Sequence, residues 1–297
     1  MHHILKSVRH EAEFLLLKAC LAPWERWPPA LASAAAHAVA DAAYFALPMR
    51  RRVAVENIER SSLGLGRPEA RRIARAAYRH WADTMVESLR MRRCFETGTW
   101  RSHVRLINEP ALEEAAAWSG GLVLTSGHFG SWEIGGHVFG LRRPLAAISR
   151  PMDNAKVNAL VEQYRFFGGV RMIPKHDANP LRLVDLVAKG GALAVMIDQN
   201  AGRHGIALDF LGRPASTYPS AAMLSLVTGA PVYFAWCRRT GRMAYEAALS
   251  GPIRCAPGRD RKAAVREIMG RLNAELETAI RRDPEQYFWM HRRWRFR

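Results

Sequence analysis

In Leu122-Val-Leu-Thr-Ser-Gly-His-Phe-Gly-Ser-Trp-Glu133 an apolar run stops at a glycine, a histidine follows, and a carboxylate comes five residues after the histidine. A short apolar run bounded by glycine predicts a buried strand, and the residues after Gly130 start a helix. That turn sets His128 at the C-terminal edge of a sheet, where α/β proteins hold ligands. Glu133 then falls in the first helical turn, close enough to fold back toward the imidazole. A histidine oriented by a carboxylate is a general base. Gly127 and Gly130 clear side chains from around it. The N–H groups at the helix start are expected to steady a developing oxyanion.

Spacing alone would not select this stretch. With 11 His and 27 Asp+Glu in 297 residues, about one His-x4-acid match arises by chance. His204 and Asp209 form a second match, but it lacks a preceding apolar run and sits in a Gly/Arg-rich loop. Context therefore favours His128. Ser131 lies in Phe129-Gly-Ser-Trp-Glu133, which is not the Gly-x-Ser-x-Gly of a nucleophilic serine, and reads better as a helix N-cap. His137 matches no common zinc spacing with His128, so a metal centre is not expected.

On either side of this turn the chain changes character. Residues 1–100 read as helical, with Ile73, Ala76, Ala77, Trp81, Thr84, Met85 and Leu89 at helical intervals over 69–95. From about residue 104, strand-like runs at 122–126, 144–149, 170–173, 192–197, 231–237 and 243–249 alternate with helical stretches at 131–141, 154–167, 179–189, 216–228 and 261–282. The pattern predicts an α/β fold, a central mostly parallel or mixed sheet flanked by helices, behind an N-terminal helical region. The division expected is 1–100 as a membrane-associating region and 101–297 as the core. Two further strands end in polar groups. Ala192-Leu-Ala-Val-Met-Ile-Asp-Gln-Asn200 delivers Asp198 and Gln199, either as part of a site or as turn chemistry, and Pro144–Ser149 delivers Arg150, suited to a phosphate or carboxylate.

The formal net charge is +17. Such a charge fits an anionic partner, be it nucleic acid, an anionic membrane surface or an acidic carrier protein; a merely solvated arginine-rich surface is the alternative. No zinc-finger, RNP-like or helix-turn-helix signal supports nucleic acid. Cys20, Cys94, Cys237 and Cys255 are scattered, which argues against a disulfide framework or zinc site, and Cys237 reads as core. The first residues lack an apolar stretch with a cleavage site, so no cleavable signal peptide is expected. Residues 30–47 are apolar but alanine-rich, and His37 and Asp41 interrupt them. With Trp24 and Trp27 just upstream, the region reads either as interfacial or as two ordinary packed helices.

Four separated motifs carry a family resemblance. Ser126-Gly-His-Phe-Gly-Ser-Trp-Glu133, Ser149-Arg-Pro151, Met196-Ile-Asp-Gln199 and Pro284-Glu-Gln-Tyr-Phe-Trp-Met-His-Arg-Arg-Trp294 occur in the order found in the bacterial lipid A late acyltransferases, over roughly residues 40–295. Leu47-Pro-Met-Arg-Arg-Arg-Val-Ala-Val-Glu-Asn57 adds a weaker fifth point, and the glycerolipid acyltransferases with a His-x4-Asp motif are more distantly similar. The resemblance implies that His128 deprotonates an acceptor hydroxyl, that Glu133 orients it, and that the hydroxyl attacks an acyl thioester. Gly130, Ser131, Arg150, Arg165, Asp198 and Gln199 become substrate-binding or supporting positions. The donor implied is an acyl carrier protein or a coenzyme A thioester, without further cofactor, metal or covalent acyl-enzyme. An acidic carrier fits the positive charge independently. The acceptor implied is a lipid A precursor-like glycolipid, with lysophospholipids or other glycolipids as alternatives. The place implied is the cytoplasmic face of the inner membrane, peripheral or monotopic, since family members have a more hydrophobic anchor than 30–47 offers. A hydrolase using the same base on water, and a non-catalytic basic membrane-associated protein, are the competing readings.

Overall fold

The computed structural model describes residues 2–165, 167–254 and 260–294, with side chains described from residue 9 onward; Cys255 falls outside that range. Four helices come first: α1 (His2–Arg26), α2 (Pro29–Ala46), α3 (Pro48–Glu59) and α4 (Arg67–Glu96). Prolines at the first position of α2 and α3 and Pro68 at the start of α4 suit helix starts, because proline has no N–H to satisfy there. The chain continues through β1 (Val104–Leu106), α5 (Glu109–Ala117), β2 (Leu122–Ser126), α6 (Trp132–Gly140), β3 (Leu145–Ser149), α7 (Ala155–Arg165), β4 (Val170–Pro174), α8 (Pro180–Ala188) and β5 (Ala192–Met196). A hairpin of β6 (Ile206–Phe210) and β7 (Arg213–Thr217) follows, then α9 (Ser220–Thr228), β8 (Val232–Gly241), β9 (Ala244–Ile253) and α10 (Arg261–Arg282).

The central sheet has seven strands in the order β1-β9-β8-β2-β5-β3-β4, all parallel to their neighbours except the β8–β9 pair. β2 lies inside it, and Leu122 to Thr125 are buried on both faces, which is why the run shows no polar alternation. Leu122, Leu124, Ile134, Val138 and Leu145 form a core on the α6 side. On the other side Val123, Leu193 and Phe234 share a cluster with Leu183, Leu224 and Leu272 of α8, α9 and α10. Ala40, Ile58 and Ile73, from α2, α3 and α4, belong to that same cluster.

The expected α/β architecture and its main strands are present, while a helix expected over 216–228 begins only at Ser220. The preceding residues, 213–217, are β7. The two-residue turn Leu211-Gly212 has positive φ at both positions, 51° and 74°. Such turns match the twist of the strands they join, but they usually carry Asn or Gly first. Leucine there hid the hairpin. It is held because Leu211 is fully buried and its backbone is bonded to both Ser62 and the Glu277 carboxylate.

α2 inverts the usual amphipathic arrangement. Ala32, Ala36, Ala40 and Tyr44 form its buried stripe, whereas Leu31, Val39 and Phe45 point outward, as do Leu47 and Met49 at the corner with α3. The two interrupting polar residues are satisfied by α4. His37 Nε2 lies 2.7 Å from Asp83 and Asp41 binds Arg75 and Arg79, which hold its carboxyl well below the usual range. Among the described residues no single helix is long and apolar enough to cross a membrane; α2 and α3 meet the length and composition only together, across a 92° bend.

Candidate active site

β2 and β5 run side by side, parallel, with Ser126 opposite Met196. Two residues beyond each strand end stand His128 and Asp198, so strand register alone brings them to one point on the sheet edge. Asp198 accepts twice from the same residue, from His128 Nδ1 at 2.8 Å and from the His128 backbone N–H at 2.9 Å. That double contact fixes both the ring and the loop carrying it, and it leaves Nε2 directed away from the carboxylate.

Burial opposes a charged imidazole, but the charge and hydrogen bond of Asp198 outweigh it, and the His128 pKa is raised overall. Asp198 is only 3% exposed, and burial alone would raise its pKa. The His128 charge, both hydrogen bonds from His128 and the Arg293 charge reverse that, so the carboxyl stays ionised. The Tyr287 phenol, fully buried beside it, is pushed well above its ordinary pKa by burial and by this carboxylate, and so stays neutral.

The loop between β2 and α6 is pinned from three directions. Gly130 N–H donates to the Gln286 carbonyl at 2.9 Å, Ser131 N–H to the Cys237 carbonyl at 2.7 Å, and Phe288 N–H to the His128 carbonyl at 3.0 Å. Gly130 has φ +58°, and a Cβ there would lie 2.1 Å from the Cys237 carbonyl oxygen. Only glycine fits that turn. The 286–293 segment also holds the far side. His291 Nε2 accepts from the Asn200 N–H at 3.1 Å. Arg293, 1% exposed, donates to Thr217 Oγ1 at 2.7 Å and to the Ser216 carbonyl. Trp289 is wholly buried, and truncating such a side chain costs about 3–5 kcal/mol.

His128 opens onto a cavity of about 950 Å³, at the upper end of the range of about 300–1,000 Å³ for small-molecule sites. Its walls draw on both cores, with Leu124, Ala194 and Cys237 from the α6 side and Val195, Leu183 and Met223 from the α8–α9 side. The cavity therefore wraps the C-terminal edge of the sheet. Gly136 of α6 lines it, and a Cβ there would meet nothing within 4 Å. His137 closes that region, stacked on Phe167 at 3.8 Å, with its pKa pushed down to about 4 by burial.

The expected residues divide into three groups. His128, Glu133, Arg150, Arg165 and Gln199 all line the cavity. Glu133 does not touch His128 Nδ1, however. Its carboxylate binds Arg165, with Arg165 Nε at 2.7 Å, and the orienting partner is Asp198. The physical reason is direction: Nδ1 faces β5, whereas Glu133 rises on α6 toward the end of α7. Asp198 accordingly sits behind the imidazole and not on the cavity wall. Gly130 and Ser131 do not line the cavity either. Ser131 is fully buried at the N-cap position of α6, but its Oγ makes no cap bond and has no hydrogen-bond partner. The N–H groups of residues 128 to 131 are all engaged, by Asp198, Gly127, Gln286 and Cys237.

Trp132, whose ring meets His128 edge-on at 5.2 Å, and Lys175, just past the end of β4, also line the cavity and were not anticipated. Lys175 had a signal: it follows a fourth apolar run, just as Arg150 follows a third. Trp132 had none beyond its place in the loop. Among the described residues no group of three or more His, Cys, Asp or Glu is placed to hold a metal ion.

Comparison with known proteins gives the family. Residues 1–296 match the family described as bacterial lipid A biosynthesis acyltransferase. The lipid A biosynthesis palmitoleoyltransferase of Escherichia coli K12 is 30% identical over 189 residues, 63% of this chain and 60% of that relative. The lauroyltransferase of the same organism is 26% identical over 251 residues, 84% of this chain and 73% of that relative. A lipid A biosynthesis acyltransferase of Haemophilus influenzae is 26% identical over 181 residues, 60% of this chain and 56% of that protein. On the match across nearly its whole length, the chain belongs to the bacterial lipid A biosynthesis acyltransferase family.

Proposed function

We propose that this protein is an O-acyltransferase that moves a fatty acyl group from a thioester to a hydroxyl of a lipid A precursor-like glycolipid. The observation that carries this reading is the His128–Asp198 pair at the mouth of a large, mainly apolar cavity. His128 Nε2 takes the proton of the acceptor hydroxyl as its oxygen attacks the thioester carbonyl. The C–S bond then breaks, and the imidazolium returns the proton to the leaving thiolate. Asp198 holds the Nδ1–H tautomer and steadies the imidazolium. Glu133 holds Arg165 over the cavity, and the guanidinium supplies positive charge to the developing oxyanion. No covalent acyl-enzyme and no metal enters these steps.

The donor is an acyl carrier protein or coenzyme A thioester, whose phosphates meet Arg150 and Lys175 at the cavity rim. A charge of +17 favours the acidic carrier. Residues 1–100 associate the chain with the cytoplasmic face of the inner membrane, peripherally or monotopically. The outward Leu31, Val39 and Phe45 of α2 support that attachment.

Purified His128→Ala protein, given acyl carrier thioester and glycolipid acceptor, should lose transfer by a factor of about 10² to 10⁴. A rate like that of the unaltered protein would overturn the mechanism. Gly136→Val should shift the preferred acyl chain to a shorter length, read by mass spectrometry of the product, because the new side chain enters the open part of the cavity. An unchanged chain length would remove that region from acyl binding.

A further inference from the structure

Away from the sheet edge, α3, β7 and the 289–294 segment border a second, open pocket of about 270 Å³. Arg60, Arg213 and Arg292 face it, together with Asn57, Glu56 and Trp294. The one carboxylate in its wall, Glu56, is held by Arg52 at 2.7 Å. None of the three arginines has a carboxylate partner within 4 Å among the described residues. The Arg213 guanidinium lies 4.7 Å over the Trp294 ring, and its Nη1 is buried without a hydrogen-bond acceptor. Burial and the Arg60 charge both work against its protonation. Gathering three cations around a buried, unpaired donor is costly without an anion.

The surroundings are specific as well. Asn57 donates to the carbonyls of Trp289 and His291, each at 2.9 Å, and so locks α3 to the segment carrying Arg292. Arg292 Nη2 reaches Met49 Sδ at 3.0 Å, and Met49 and Leu47 are the exposed apolar side chains of the α2–α3 corner. Arg292 and Arg293 divide their work accordingly, Arg293 tying the interior together while Arg292 turns to the pocket.

We infer that Arg60, Arg213 and Arg292 form a binding site for a terminal phosphate. Such a group carries about −1.5 to −2 charges at neutral pH and three acceptor oxygens, a match for three guanidinium forks. The apolar corner beside the pocket favours a lipid-borne phosphate over the free ion. This last step rests on the membrane-facing reading of α2, but the test does not involve acyl transfer, so failure here leaves the proposed reaction standing.

The test is binding of the full chain to phosphatidylcholine vesicles doped with either phosphatidic acid or phosphatidylserine at matched surface charge. The protein should bind the phosphatidic acid vesicles about tenfold more tightly. Arg60→Gln and Arg292→Gln, both at partly open positions, should each bring the two affinities together. Arg213→Gln should do the same if it folds. Arg203→Gln, an exposed arginine outside the pocket, should leave the preference intact. Inorganic phosphate alone distinguishes the sources. Titration of the protein with it, lost in Arg292→Gln and as tight as the vesicle interaction, identifies the free ion as ligand; much weaker binding identifies the lipid-borne group. No preference between the vesicles together with no phosphate binding, or equal loss in Arg203→Gln, would overturn the site.

Discussion

His128 and His204 each stand five residues before a carboxylate, and the molecule treats them oppositely. His128 leaves the end of a buried central strand, is clamped by Asp198 and faces a large cavity. His204 ends a short exposed 3₁₀ turn, and Asp209 is exposed on β6, where it pairs across the hairpin with Pro214. In neither case does the acid five residues on hold the imidazole Nδ1. What separates them is the neighbouring strand: β5 lies beside β2 and presents a carboxylate level with His128. The His128–Asp198 pair is made here by strand adjacency, with the local motif supplying only one half.

Three variants can break or sharpen that contrast. Asp198→Asn should cost about 10² to 10⁴ in acyl transfer, because the amide no longer selects the Nδ1–H tautomer. Asp198 also raises the His128 pKa, and the proposed mechanism needs neutral imidazole, so the rate should fall as pH drops through that raised value. In Asp198→Asn the acid limb of the pH–rate profile should therefore move to lower pH. An unmoved limb would deny the coupling. Glu133→Gln should be milder, about tenfold, since it loosens Arg165 and leaves the His128–Asp198 pair intact. A larger loss than in Asp198→Asn, measured under the same conditions, would hand the orienting role back to Glu133. His204→Ala should change the rate by less than about twofold, and a large effect there would mean that the two segments had been ranked wrongly.

Much of this was legible in the sequence because it is local. Buried parallel strands read as short apolar runs, so the ends that carry His128, Arg150 and Asp198 were visible one at a time. Their order across the sheet was not. β2 and β5 are neighbours in space but are separated in the chain by β3 and β4, and no local pattern encodes that adjacency. Glu133 was therefore the natural partner to expect, being near in sequence, whereas the contact belongs to a residue seventy positions away. The hairpin at 206–217 was hidden for a different reason. Its turn forces a leucine into positive φ, a local cost met by burial against α10 and a bond to Ser62, so turn chemistry gave no warning. The aromatic-basic segment at 284–294 was visible as a motif, but its work is done through backbone carbonyls and N–H groups, which every sequence has.

That segment has a consequence for the timing of synthesis. The loop carrying His128 is held by Gln286 and Phe288, and the turn after Asp198 by His291 and Arg293. A growing chain that has emerged only as far as α10 already contains both members of the pair, yet it lacks the bonds from Gln286, Phe288, His291 and Arg293 that brace the two loops. The His128–Asp198 pair is thus braced only by residues made after both of its members. A chain stopped after Asp283 should be inert in a transfer assay even where its sheet has formed.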